Sequence, residues 1–172
     1  MPIPEKLQSF LQNIGERVAS ETTDVISTVI GKECSISLKE IQEAGADIIA
    51  VQITDPYVDF RFNLTPSDDD IVHLILTQTL GAKMASLMMM EEETTEFAES
   101  HLDAIKEMGE QVLGNLATVL SEPVGRELRF GSVRVSAHEA GADFPELDSP
   151  VALYYALKIG EGEEYRIIQL LG

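Results

Sequence analysis

Apolar residues near the start of the chain recur with helical spacing: Leu7, Phe10, Leu11, Ile14, Val18, Val25 and Ile26 share one side of a 3.6-residue period. The run stops at Gly31, where a left-handed residue can close a helix without steric cost. A second pattern of the same kind runs from about Thr95 to Ser121 and ends at Pro123 and Gly125. Strand-like segments follow each predicted helix: "CSISLKEI", "DIIAVQIT" and "YVDFRFNL" after the first, and "LRFGSVRVSA", "VALYYALKI" and "YRIIQLLG" after the second. "DP" and "GEGEE" read as hairpin turns between the last two of each set.

The recurrence of one outline reflects an internal repeat. Laid over one another at constant offset, the stretches beginning at Asn13 and Glu107 share Gly15/Gly109, Glu16/Glu110, Val18/Val112, Val25/Val119, Ser27/Ser121, Gly31/Gly125 and Glu33/Glu127. "EAGAD" then occurs twice unchanged, from Glu43 and from Glu139. Matches in the same order mark a tandem duplication, with repeats of about 1–66 and 95–172.

The segment "PSDDDIVHLILTQTLGAKMASLMMM" has no counterpart after the second repeat. Ser67 before three aspartates is a helix start, because the hydroxyl caps a free N–H and the carboxylates suit the positive end of the dipole. The expectation is a linking helix over about 67–90, although "IVHLILT" alone also has the composition of a strand. Within it, "MASLMMM" is assigned to the core rather than to an adaptable contact surface.

Residues 1–172 are therefore expected to form one α+β domain with pseudo-twofold symmetry. Two long equivalent helices pack on a six-stranded, largely antiparallel sheet, since each amphipathic face needs a partner.

Charge narrows the function. The 12 basic and 30 acidic residues give a formal net charge of −18, which opposes binding to nucleic acid or to an anionic membrane. Cys34 is the single cysteine, so neither an internal disulfide nor a multi-thiolate zinc site can form. The N-terminal "MPIPEKLQSF" has no basic region followed by a long apolar run, and the cytoplasm is the expected compartment. His73, His101 and His138 lack metal-ligand spacing, and "GKE" at Gly31 lacks the rest of a phosphate-binding loop. No metal, cofactor, or serine or cysteine nucleophile is expected. The acidic runs from Ser67 and from Glu91 are read as solvated. An exposed terminal strand is compatible with either a monomer or a homodimer.

The second helix also carries a polar stripe. With Asp103 at zero, Glu107 falls near ~40° and Glu110 near ~−20°, while Ile105, Met108, Val112 and Leu116 cluster opposite. The same phase on the first helix selects Ser9, Asn13 and Glu16. Spacing alone makes these two triplets the solvent faces of amphipathic helices.

"HLDAIKEMGEQVLGNLATVLS", residues 101–121, resembles the signature helix of the CheC, CheX and FliY family of bacterial chemotaxis proteins. That pattern is Asp or Ser, three residues, Glu, two residues, Asn, then a small-residue stretch ending in "ALS". Asp103 and Glu107 match its first places; Gly114, Asn115, Ala117, Thr118, Leu120 and Ser121 match the stretch. "SLMMM" with an acidic linker is similar to the segment preceding this helix in FliY-type members. The duplication extends the resemblance over essentially the whole chain.

The resemblance implies dephosphorylation of a phosphorylated CheY-type response regulator. The family's acidic residue engages the regulator's active-site lysine, and its amide orients a water for attack on the aspartyl phosphate. It also implies, as other partners, a CheD-type deamidase or a flagellar switch protein. This sequence departs from the pattern at the amide, where Glu110 stands, and on the first helix, where Asn13 and Glu16 exchange the acid and amide places. An ionised carboxylate accepts hydrogen bonds but cannot donate one. Binding without hydrolysis is accordingly the alternative expectation. With the last predicted strand at the end of the sequence, a CheC- or CheX-like protein fits better than a complete switch subunit.

Overall fold

The computed structural model describes residues 4–43, 55–63, 71–92, 94, 96–124, 133–139, 151–160 and 164–171. Helix α1 spans Glu5–Ile30 and is followed by strands β1 (Cys34–Glu43), β2 (Tyr57–Asn63) and β3 (Ile71–Thr77). Helices α2 (Gln78–Met88) and α3 (Glu99–Val124) lead to β4 (Arg134–His138), β5 (Val151–Ile159) and β6 (Glu164–Leu171).

Local chemistry sets several of these boundaries. Gly31 closes α1 at φ 70°, and its N–H donates to the Ser27 carbonyl at 3.1 Å. A polypeptide leaving the helix in that conformation turns directly into β1, where the Cys34 N–H donates to the Ser27 hydroxyl at 3.2 Å. The second long helix starts later than Thr95 and continues past Ser121, enclosing Pro123 in its last turn.

The six strands form a single sheet in the order β1, β5, β6, β3, β2, β4, and every pairing is antiparallel. Exchanging β1 with β4, β2 with β5 and β3 with β6 returns the same order reversed. A pseudo-twofold axis therefore passes between β3 and β6, normal to the sheet. Such an axis reverses the direction of any element lying along the sheet, so α1 and α3 run antiparallel.

Residues 71–77 correct one expectation, being a sheet strand rather than the start of the linking helix. Their central position explains the pattern: Val72, His73, Ile75 and Leu76 are all buried, so the strand lacks the alternation of a half-exposed one. The linking helix begins at Gln78 and is capped by Thr77, whose hydroxyl accepts the Leu80 N–H at 3.2 Å. β3 thereby carries the first repeat to Thr77, beyond the expected boundary near residue 66. The Ser67–Asp70 run, the segment "DIIAVQIT" and the first five residues of "LRFGSVRVSA" lie outside the described residues.

Both faces of the central strands carry buried residues. On one, Val58, Phe60, Leu76 and Leu157 pack with Ile105, Met108 and Val112 of α3 and Ile26 of α1. On the other, Tyr57, Ile75, Tyr154, Ile168 and Leu170 form a separate cluster beside a buried Asp59–His73 pair, with His73 Nδ1 3.0 Å from both carboxylate oxygens. Full burial of an Ile105-sized side chain is worth about 1.5–3 kcal/mol. The apolar stripe of α1 is not covered throughout: Leu7 and Phe10 are 41% and 44% exposed. The methionine-rich run divides in the same way, with Met84 and Ala85 in the core and Met89 and Met90 exposed.

Candidate functional site

Every predicted site residue lies on the solvent side of its helix: Ser9, Asn13 and Glu16 on α1, and Asp103, Glu107 and Glu110 on α3. The physical origin is the glycine between the last two of each triplet. A Cβ on Gly15 would stand 2.7 Å from Leu38 Cδ2 and 3.2 Å from Leu153 Cδ2, and one on Gly109 would collide with the Phe60 ring. Only glycine lets each helix press this closely onto the sheet. Residues two before and one after such a glycine stand about 160° and 100° round the helix from it, facing water.

The two helices meet on the symmetry axis. Asn115 Nδ2 donates to Glu21 Oε2 at 2.8 Å, and both side chains are half-buried. These two residues are equivalent positions in the alignment that pairs Gly15 with Gly109. A hydrogen bond between equivalent positions requires the twofold axis to pass close to it. Five residues separate Glu16 from Glu21 and Glu110 from Asn115, in opposite directions because the helices are antiparallel. Along the helix axes the nearest members of the triplets, Glu16 and Glu110, therefore stand about 15 Å apart. The structure brings together the members of each triplet, and it keeps the two triplets as separate clusters on the two helices.

Each site has its own chemistry. On α1, Gln12 Nε2 donates to Glu16 Oε1 at 2.9 Å, which orients that carboxylate while leaving its other oxygen available. Asn13 supplies both a donor and an acceptor one turn away. On α3 all three positions are carboxylates, so these three side chains offer acceptors only, with exposed Lys106 about 60° round the helix from Asp103. Sequence reasoning did not single out Glu21, and it placed Asn115 merely within a small-residue stretch. The available signal was their equivalence in the repeat, with an acid in one copy and a complementary amide in the other.

Other polar groups are engaged in local structure. The Ala98 N–H donates to His101 Nδ1 at 2.9 Å, and His138 Nε2 lies 2.8 Å from the Ser136 hydroxyl. The Cys34 thiol sits 3.1 Å from the Ser27 hydroxyl; burial pushes its pKa up, outweighing the lowering by that hydrogen bond, and Asp24 adds to the rise. Among the described residues, no group of three or more His, Cys, Asp or Glu side chains is placed to hold a metal ion. Among them too, no helix is long and apolar enough to cross a membrane.

No family model matches the chain. It is 24% identical over 176 residues to the flagellar motor switch phosphatase FliY of Bacillus subtilis (strain 168), an alignment covering 98% of this chain and 47% of that protein. The chain thus spans about half the length of that relative. The crystal structure of Thermotoga maritima FliY superimposes with a TM-score of 0.88 at 19% identity, covering 100% of this chain and 92% of the other. A chain of the FliG–FliM complex from H. pylori gives 0.79 at 12% identity, covering 98% and 94%. At these identities the superpositions establish the fold, and they repeat the helix and sheet arrangement built above. With sequence similarity to FliY along nearly its whole length, and with that arrangement, the chain resembles the CheC/CheX/FliY-type family of chemotaxis and flagellar switch proteins and shares its fold.

Proposed function

We propose that this protein binds a phosphorylated CheY-type response regulator in the cytoplasm and hydrolyses its aspartyl phosphate at α1, while α3 serves for docking alone. The observation that carries this reading is the retention on α1 of both groups the reaction needs. Glu16 and Asn13 are an exposed carboxylate and an exposed amide, one turn apart on a helix held rigidly at Gly15.

In the reaction, Glu16 receives the regulator's active-site lysine. The Asn13 amide accepts a hydrogen bond from the attacking water and donates one to a phosphoryl oxygen. The water oxygen attacks phosphorus in line, the bond from phosphorus to the aspartyl oxygen breaks, and aspartate and inorganic phosphate leave. Positioning and electrostatics carry most of the catalysis in such transfers, which an amide and a carboxylate can supply. Ser9, one turn before Asn13, contacts the regulator at the edge of the site. On α3, Asp103 and Glu107 accept basic groups of the partner, but Glu110 would bring negative charge towards an anionic phosphoryl group. The likeness to a protein named a flagellar motor switch phosphatase supports the enzymatic reading.

The carboxylate at Glu110 favours a second reading, in which neither helix hydrolyses and the protein docks on a regulator, a CheD-type deamidase or a flagellar switch protein. Similarity to a chain of the FliG–FliM complex supports it. Variants separate the two. Under the first reading Asn13→Ala removes at least about tenfold of the acceleration, in the range a positioned water contributes, whereas Glu107→Ala weakens docking. Asn13→Ala that is as active as the parent would exclude α1 as the hydrolytic site. Absence of hydrolysis in the parent, with regulator binding intact, would favour the second reading.

A further inference from the structure

Between α1, α3 and the sheet lies a cavity of about 340 Å³. Ile14, Val18 and Ala19 of α1 line one side, Val112 and Leu113 of α3 the other, and Phe60 belongs to the floor. No charged side chain occurs among the described residues that line it. We propose that this cavity is a binding site for a small neutral apolar molecule, about two fused rings in bulk, carrying one hydrogen-bonding group.

Three observations carry the proposal. The first is that the space is held open. Gly15 and Gly109 fix the height of the two helices above the sheet, and the Glu21–Asn115 hydrogen bond fixes their separation. An apolar void that the surrounding structure cannot close is destabilising, because its lining atoms lack contacts on one side. A ligand that fills it recovers those contacts.

The second observation is a buried hydroxyl without a partner. Thr23 and Thr28 donate to the carbonyls of Ala19 and Asp24 in the usual helical manner, at 2.7 and 3.0 Å. Thr22 Oγ1 is buried without a hydrogen bond, and Thr22 lines the cavity. Buried polar groups are almost always satisfied, so this hydroxyl marks where the ligand's polar group sits. The other lining hydroxyl, on Tyr155, already donates to Gln169 Oε1 at 2.7 Å.

The third is access. Phe10 both lines the cavity and is 44% exposed, placing it where the cavity meets solvent, and Leu7 one turn away is 41% exposed. Size and charge then select the occupant. The volume is about twice that of a ~150 Å³ cavity able to hold benzene, which corresponds to about two rings. An uncharged lining offers an ionic ligand no counter-charge, and desolvating an ion there is prohibitive.

Naphthalen-2-ol and naphthalene are suitable probes, titrated into the full chain and followed by calorimetry and by ligand fluorescence. Saturable one-to-one binding is expected, with naphthalen-2-ol bound more tightly. Thr22→Val keeps the shape and removes the hydroxyl, and should weaken naphthalen-2-ol about fivefold, the worth of one hydrogen bond, while leaving naphthalene unchanged. Ala19→Phe should abolish binding of both by filling the space, and Val112→Phe provides the same arm if that variant does not fold. Failure of folded parent protein to bind either probe up to its solubility limit would overturn the proposal. Equal naphthalen-2-ol binding in parent, Thr22→Val and the filled variant would overturn it too, by locating the probe elsewhere.

Discussion

Asn115→Asp tests whether the two helices are joined on the symmetry axis as described. The substitution replaces a 2.8 Å amide–carboxylate hydrogen bond with two facing carboxylates. Two like charges 4 Å apart repel by about 1 kcal/mol in bulk water and about 4 kcal/mol at an effective dielectric of 20. The pair is half-buried, and the side chains can rotate apart, so the lower part of that range applies. Adding the lost hydrogen bond, about 1 kcal/mol, gives an expected loss of roughly 2 kcal/mol. For a chain of this length that lowers the melting temperature by about 4–8 °C. The assay is thermal unfolding followed by far-ultraviolet circular dichroism near pH 7.5. Asn115→Ala loses the hydrogen bond without the repulsion and should lie between parent and Asn115→Asp. Adding Glu21→Gln to Asn115→Asp exchanges amide and acid across the axis and should restore most of the loss. Parent-like stability of Asn115→Asp at pH 7.5, or no recovery in the double variant, would refute the arrangement.

Two further outcomes follow from the packing of α3 and from the burial of Cys34. Gly114 has open space where a Cβ would go, so Gly114→Ala should stabilise α3 by up to about 1 kcal/mol through helix propensity, whereas Gly109→Ala, facing the Phe60 ring, should lower stability; urea midpoints that move in the same direction would contradict the close packing at Gly109. The raised pKa of the Cys34 thiol keeps it protonated at neutral pH, so iodoacetamide should label it much more slowly in folded than in urea-unfolded protein; equal rates would show the thiol to be accessible.

The fold was legible where burial is one-sided. The apolar periods of α1 and α3 and the stop at Gly31 follow from helices with one wet face, and the repeat in sequence anticipates the palindromic strand order. It was less legible at residues 71–77, because a strand buried on both faces carries no alternation. The exposed first turns of α1 were missed for the opposite reason: Leu7 and Phe10 keep the helical period although the described residues leave them 41% and 44% exposed. At the candidate site, helix phase located all six exposed side chains. It could not reveal the spacing between the triplets, which depends on where two distant helices cross. Glu21 and Asn115 show the limit, since neither has meaning until the symmetry axis brings them into contact.

The most direct test of the functional reading is the loss of phosphate from a CheY-type regulator charged with acetyl phosphate, followed after removal of the donor with and without this protein. Faster loss is expected with the parent chain, and loss at the regulator's own rate with Asn13→Ala. Unchanged decay in the presence of parent protein that demonstrably binds the regulator would contradict it.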